Sequence, residues 1–538
     1  MRRWMLLLAV MSCGCVLACS GNGGSPDSGT HQDGQDVDGG GDEEAPVRTI
    51  HFDEAVVVED ELAGQQIALA ATPDDQFAVA YFKQEPEPGT CENPILGGPP
   101  TPVRLDTIRY ARFDGTVWSE PEDVVTIETA MLSGIDLVFD GETPLIAYLG
   151  GDEGRQICGG SDAMIARPDG NGGWTESAAV TMSDEAPELD ACPKGQGMCD
   201  FGDVVGMWPS MAVAPDGTIG LAYRDVHNGY TKEADESSDL EWAFAPHGAT
   251  SWSHQWIDIG RGSGLYNSLA FGPDGTAAVA YYNGKHGVLT VSVAGEDRWT
   301  EMPTCVPCTV RSDCPPGEDC IGGHCVGVAC VEDTECEFGE ACLEGNCTSP
   351  ADCPAGLDCV PGTGWCWSLV AQPERSLPQQ SASLAIAPDG RLLVAWFDPD
   401  SGTLRISHSA DGLQWTHGSI DTSGRTGMYP NILVDPQTGR PGVAYYRCSD
   451  GQEECQRAQD GVRFAFFTGV YPDELSSRYM WVKVTVSEKG VGSDGLNLSA
   501  AVLPDGSVGI AYAYSFFDSG AGEGRQYVMF QKGTWSEE

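Results

Sequence analysis

Basic residues are scarce in this chain of 538 residues: 29 Lys and Arg stand against 80 Asp and Glu, a formal charge of −51. Phosphates repel so acidic a surface, which removes nucleic acids from the expected partners. Uninterrupted apolar runs of membrane-spanning length are absent too; the apolar stretch at the start, from Trp4 to Val10, is too short to cross a bilayer. Gly-x-Ser-x-Gly, His-Glu-x-x-His and phosphate-loop patterns are all missing, and the histidines (His51, His227, His247, His254, His286, His408 and His417 among them) show no metal spacing. No cofactor and no resident metal are therefore expected. The charge would suit a calcium-bearing partner, but no motif supports one, because the Asp-rich segment before residue 47 lacks the D-x-D-x-D-G spacing of a calcium loop.

What is abundant is turn chemistry and repetition. Gly 69 and Pro 34 fit many short strands better than long helices. Seven times the chain writes an apolar run, a turn, and a second apolar run ending in Ala and an aromatic. The clearest copies begin at Ser210 (SMAVAPDGTIGLAY), Ser268, Ser383 and Ser499; looser ones end at Ala80-Tyr81, Ala147-Tyr148 and Ala444-Tyr445. A second landmark follows each: Trp118, Trp174, Trp252, Trp299, Trp415, Trp481 and Trp535. Each unit reads as strand, Pro-Asp-Gly turn, strand, variable loop, strand, tight turn, strand with Trp. That is the four-stranded antiparallel meander of a propeller blade, and a repeat of this size means that neighbouring units bury one another's apolar faces. The fold class is all-β: a seven-bladed β-propeller, blades 1–4 over 48–302 and blades 5–7 over 368–538. Phe52 stands where a Trp would, so the first strand is expected at the outer edge of the last blade. Trp535 opens a competing strand for that position, and the pattern leaves the choice open. By the path of a meander, both kinds of short turn lie on one face. The loops after Ala-Tyr, the loops between blades and all the length variation lie on the other, which becomes the candidate working surface.

The amino terminus reads as an export address. Arg2 and Arg3 precede the apolar stretch, and Val16-Leu17-Ala18-Cys19 follows it. This resembles the lipobox of bacterial lipoproteins. The resemblance implies a signal peptide over 1–18, lipidation of Cys19, and, with Ser20 next, sorting to an outer membrane, facing the periplasm or the cell surface. An ordinary secretory signal, with Cys19 incidental, is the alternative. Residues 19–47 carry almost no apolar side chain and read as a flexible tether.

The 21 cysteines divide cleanly. Cys13, Cys15 and Cys19 belong to the leader. Cys91, Cys158, Cys192, Cys199, Cys448 and Cys455 scatter through the blades. The other twelve (Cys305, Cys308, Cys314, Cys320, Cys325, Cys330, Cys336, Cys342, Cys347, Cys353, Cys359 and Cys366) crowd into a module over 303–367. Even numbers in an exported chain indicate disulfides. Cys91 with Cys158 is expected from corresponding loops, and Cys192 with Cys199 and Cys448 with Cys455 as local clips. The module has almost no apolar filler and must be held by crosslinks. A zinc reading through Cys305, Cys308 and His324 is the alternative. The module resembles dickkopf amino-terminal Cys-rich repeats.

The blades resemble Asp-box (BNR-type) repeats of sialidase-like propellers. The best match is Ser409-Ala410-Asp411-Gly412-Leu413-Gln414-Trp415-Thr416. The resemblance implies fold more than activity, since Asp boxes lie away from sialidase catalytic sites. The Phe-Arg-Ile-Pro-type motif is absent, and no catalytic residue is assigned. The positions just after Ala-Tyr are expected to rim one channel mouth: Lys83, Gly150, Asp225 (with Arg224 beside it), Asn283, Asp398, Arg447 and Tyr514. The expected function is binding or display of a protein or glycan at the cell envelope, with a lipid anchor as the membrane contact. The alternative is a sialidase-like glycoside hydrolase or lyase, which would need a carboxylate of raised pKa beside a placed Tyr or Arg.

Overall fold

The computed structural model describes residues 48–59, 62–91, 101–128, 134–151, 160–181, 204–226, 238–258, 264–283, 288–294, 318–321, 324–327, 358–359, 366–367, 382–399, 401–412, 414–448, 460–488, 493–518 and 523–537. Seven antiparallel meanders are present. Their first strands are Ala63–Ala71, Ile135–Asp140, Val204–Val213, Leu265–Phe271, Ala382–Ile386, Thr426–Val434 and Ser493–Val502, in blades 1 to 7. Each first strand touches the first strands of both neighbouring blades, so the seven close a ring around an axis. Five blades have four strands and blade 7 has four plus a short added one; blade 4 shows three among the described residues, and Trp299 of its fourth lies outside them.

The core is divided among the seven interfaces between blades. Each apolar cluster joins two adjacent blades: Tyr81 packs with Ala511 and Phe530 across blades 7 and 1, and Tyr445 with Leu393 and Ile406 across blades 5 and 6. The aromatic of every Ala-Tyr or Ala-Trp landmark faces the preceding blade. This is the burial that one meander cannot supply for itself, and it explains why the pattern must repeat.

The Ser that opens the repeat also has a physical role. It stands opposite the repeated Ala, as in Ser210 with Ala222 and Ser383 with Ala395. Its hydroxyl accepts a backbone N–H from the next blade: Leu269 to Ser210, Leu384 to Ser268, Ile432 to Ser383 and Leu69 to Ser499, each at 3.0 Å. Asn431 and Asp136 take that role in blades 6 and 2, accepting from Ala500 and Met211. Replacing Ser383 by Ala strands the Ile432 N–H. The expected cost is about 1–2 kcal/mol, read as a lowered urea midpoint with an unchanged slope.

The seam question left open by the sequence is resolved. Arg48–Phe52 pairs with the end of Glu523–Glu537, Ile50 opposite Trp535, and so takes the outer edge of blade 7. Trp535 belongs to the third strand and donates its indole N–H to Gly506 O at 2.8 Å. Val56–Glu59 then adds to the same strand.

At the turn-bearing face, Gly217, Gly275, Gly390 and Gly506 take positive φ in the four Pro-Asp-Gly turns. Asp411 Oδ1 accepts the Gln414 N–H at 2.9 Å, and the Trp415 indole donates to Gly412 O at 3.2 Å. One connection corrects the expectation that this face carries only short turns. In blade 6, residues 468–480 separate Gly461–Phe467 from Trp481–Ser487. The excursion has its own anchors: Leu475 is fully buried, its carbonyl accepts the Trp481 indole N–H at 3.0 Å, and the Tyr471 hydroxyl donates to Asp389 at 3.1 Å.

Of the cysteine assignments, Cys320 stands opposite Cys325, and Cys359 opposite Cys366, in two short hairpins. Cys91 lies in a strand, and Cys448 is buried. Cys455 (expected to pair with Cys448), Cys19 and the tether, and the other cysteines lie outside the described residues.

Candidate functional site

The loop-rich end of the ring is built from the starts of the first strands and the ends of the second strands. The rim positions differ widely there. Lys83 is half-buried and bonds Glu59 Oε1 at 3.2 Å. Glu59 also receives the Tyr81 hydroxyl at 3.2 Å and lies 3.6 Å from Arg109, so these residues close the seam between blades 7 and 1. Asp398 accepts the Ser401 hydroxyl at 2.7 Å and lies 3.6 Å from Arg405. Arg447 is half-buried. Tyr514, also half-buried, stacks on Phe516 at 5.2 Å. The side chain of Asn283 lies outside the described residues. Arg224 is nearly buried with its guanidinium 5.3 Å from the Trp208 ring, and Asp225 is fully buried.

The structure groups Asp225 with two residues the sequence did not suggest, Asp239 and Glu241. Asp225 faces Asp239 across the second and third strands of blade 3, and Tyr223 faces Glu241. One carboxylate oxygen from each lies within 4.8 Å of the others, and all three residues are fully buried. Three such oxygens could hold a hard cation such as calcium or magnesium. The Tyr223 hydroxyl donates to Glu241 at 2.7 Å, which has the look of a nucleophile beside its base.

That couple, however, is a motif of the scaffold. Tyr81 donates to Glu59, Tyr148 to Glu176 at 2.6 Å, Tyr281 to Asp258 at 2.9 Å and Tyr445 to Asp421 at 2.7 Å. Tyr512 uses Gln531 instead, and Trp396 uses Ser407. Burial first, and the neighbouring acid second, push the phenols of Tyr81, Tyr148 and Tyr445 well above the ordinary tyrosine range. They remain hydroxyl donors. Asp421 shows the complementary effect: burial pushes its carboxyl up, but hydrogen bonds from Tyr445 and Ser423 bring it below the usual range. Asp136 is pushed up to about 6 by burial, against the pull of the Met211 and Leu137 N–H groups. Its bonds are those of a blade staple.

A feature missed at the sequence level recurs at the start of the first strands. Trp208, Tyr266, Tyr429 and Asn497 have φ of 48°, 50°, 50° and 52°, each two residues before the stapling Ser or Asn. Gly134, two before Asp136, has φ 93°. This is the left-handed region, cheap for Gly and tolerable for Asn, but costing about 1–3 kcal/mol for a bulky residue. Pro209 and Pro430 add to the conflict, because proline pushes the residue before it toward extended backbone. The available signal was the spacing Gly-x-(Trp/Tyr/Asn)-x-(Ser/Asn), at 206–210, 264–268, 427–431 and 495–499.

No family model matches this chain, and no curated protein does. Solved structures do resemble it. A protein of unknown function from Dyadobacter fermentans has 11% identity and a TM-score of 0.42, covering 91% of this chain and 99% of its own. The polysaccharide lyase Uly1 has 11% identity and a TM-score of 0.41, covering 86% and 89%. A mutant of the Aleuria aurantia lectin AAL, in complex with Fucalpha1-6GlcNAc, has 10% identity and a TM-score of 0.36, covering 79% and 96%. These are likenesses of fold alone.

Proposed function

We propose that this chain is an exported, lipid-anchored propeller whose loop-rich face binds a glycan outside the membrane without cleaving it. One observation carries the preference for binding over catalysis. The hydroxyl–carboxylate couple that a sialidase-like mechanism would use recurs in five blades, four of them besides blade 3, so its presence at Tyr223 and Glu241 needs no catalytic explanation. The anchor reading rests on the order of Arg2, Arg3, the short apolar stretch and Val16-Leu17-Ala18-Cys19.

The hydrolase alternative has one specific support, the grouping of Tyr223 and Glu241 with Asp225 and Asp239. The two readings separate in one experiment. The full chain, in detergent, is incubated on a glycan array and, in parallel, with the same oligosaccharides in solution. Retention without new reducing ends or unsaturated products is expected. Product release that disappears in Glu241→Gln would replace the binding reading by the catalytic one.

A further inference from the structure

We infer that Trp208, Tyr266 and Tyr429 are the ligand-contacting residues of the loop-rich face, and that they take the apolar face of a neutral pyranose ring. The inference rests on the glycan-binding reading and names the site within it.

Five first strands share one left-handed bend, so the backbone's own requirement can be separated from the side chain's. Blade 2 meets it with Gly134 and blade 7 with Asn497, residues that accept φ > 0 at low cost. Blades 3, 4 and 6 place a large aromatic there instead. The bend itself does not need a ring, and the backbone resists one, although Trp208 also packs on Leu149, Val204 and Met207 and Tyr429 on the cluster between blades 6 and 7; strain of this kind persists at ligand sites when the surroundings over-determine it. The surroundings do so here. The Asn267 amide donates to Trp208 O at 2.8 Å, and the Asn431 amide donates to Tyr429 O at 3.2 Å. The Trp208 ring lies 5.4 Å from the Tyr266 ring, with the Arg224 guanidinium on Trp208. All three aromatics are half-buried, and all three stand at the loop-rich ends of the axial strands.

Trp208 and Tyr266, with their ring planes at 47°, offer flat apolar surface of the kind that meets the C–H faces of pyranose rings, and Tyr429 offers a further ring on the same end of blade 6. The charge of −51 selects further. An anionic sugar would approach against the field of the whole chain, whereas a neutral one would not.

The test replaces each aromatic by the residue blade 7 already uses. The full-length triple variant Trp208→Asn, Tyr266→Asn, Tyr429→Asn and the ring-keeping pair Tyr266→Phe, Tyr429→Phe are compared with wild type on neutral cello-, manno- and chito-oligosaccharides, with sialyllactose as the acidic probe. Wild type should bind a neutral probe, the Phe variants should retain it, and the triple variant should lose more than about tenfold in affinity. Its melting temperature should stay within about 4 °C, because relief of strain offsets lost packing. A triple variant that binds as wild type does would overturn the site and leave the binding reading standing. So would single Asn variants that each melt more than about 10 °C lower, since the rings would then be serving the core. Preference for sialyllactose would overturn the neutral ligand. A wild type that binds none of these sugars would bring down the glycan reading and this site with it.

Discussion

Gly206→Ala should prevent the ring from closing stably. The loss should be about 4 kcal/mol or more, seen as little soluble protein or a collapsed urea midpoint. Two effects add. Gly206 has φ 104°, where an L-residue is strained, and a Cβ there would lie 2.6 Å from the Cα of Ala163 in the preceding blade. A flexible side chain could move aside; the backbone of a paired strand cannot. The same approach recurs around the ring, with Gly427 at 2.7 Å from Leu404 Cα and Gly495 at 2.7 Å from a Val462 methyl. Gly275→Ala is the control. Gly275 also has positive φ, 86°, but nothing lies within 4 Å of the new methyl, so only the conformational cost of about 1 kcal/mol should appear. Equal losses at the two positions would mean that strain, and not the approach of one blade to the next, sets the spacing of the ring.

The contrast marks what could be read from the chain. The blade count, the strand order and the inward Ala-Tyr were legible because burial at period two, with Asp-Gly turns, leaves few alternatives. The Ser that opens each repeat was visible as a pattern but not as a bond, since its partner lies in the next blade, 59 positions away for Leu269 and Ser210 and 116 for Leu384 and Ser268. The acid partners of the tyrosines were not legible, because they sit at no fixed offset: 18 positions for Tyr223 and Glu241, 28 for Tyr148 and Glu176. The rim was read from position alone. Position could not tell that Asp225 would be fully enclosed while Asp398 would bond a serine of its own loop. The sign of φ is not written in residue type when an aromatic occupies it. The spacing of Gly206, Trp208 and Ser210 was visible in the chain, but its meaning needed the backbone.

The Asp136 staple should make stability fall as the pH rises from 4 to 7, and replacing its carboxylate by two serine hydroxyls, one in each blade, should abolish that fall. Blade 1 breaks the stapling pattern: Ala68 stands where blades 3, 4, 5 and 7 have Ser, so its side chain offers nothing to the Leu137 N–H. Asp136 takes up both duties, one oxygen accepting Leu137 N–H at 2.8 Å and the other accepting Met211 N–H at 2.5 Å. A carboxylate can accept twice where a single hydroxyl serves one neighbour, but it is enclosed between blades, which raises its pKa from 3.8 to about 6. The sign follows. A folded-state pKa above the unfolded value means that the native state holds the proton more tightly. That contribution is complete below 3.8 and is lost as the pH rises through 6. Its size is at most about 3 kcal/mol, and less where water reaches the half-buried residue. Asp136→Ser alone leaves Leu137 N–H stranded and should cost about 1–3 kcal/mol at pH 4. Ala68→Ser with Asp136→Ser rebuilds the arrangement of blades 3, 4 and 5. The double variant should recover most of that loss, and from pH 4 to 7 it should gain on wild type by up to about 3 kcal/mol in urea unfolding. Two single-variant losses that simply add, with no change in pH dependence, would show that the two positions do not share the Leu137 N–H and that the carboxylate is no worse solvated folded than unfolded.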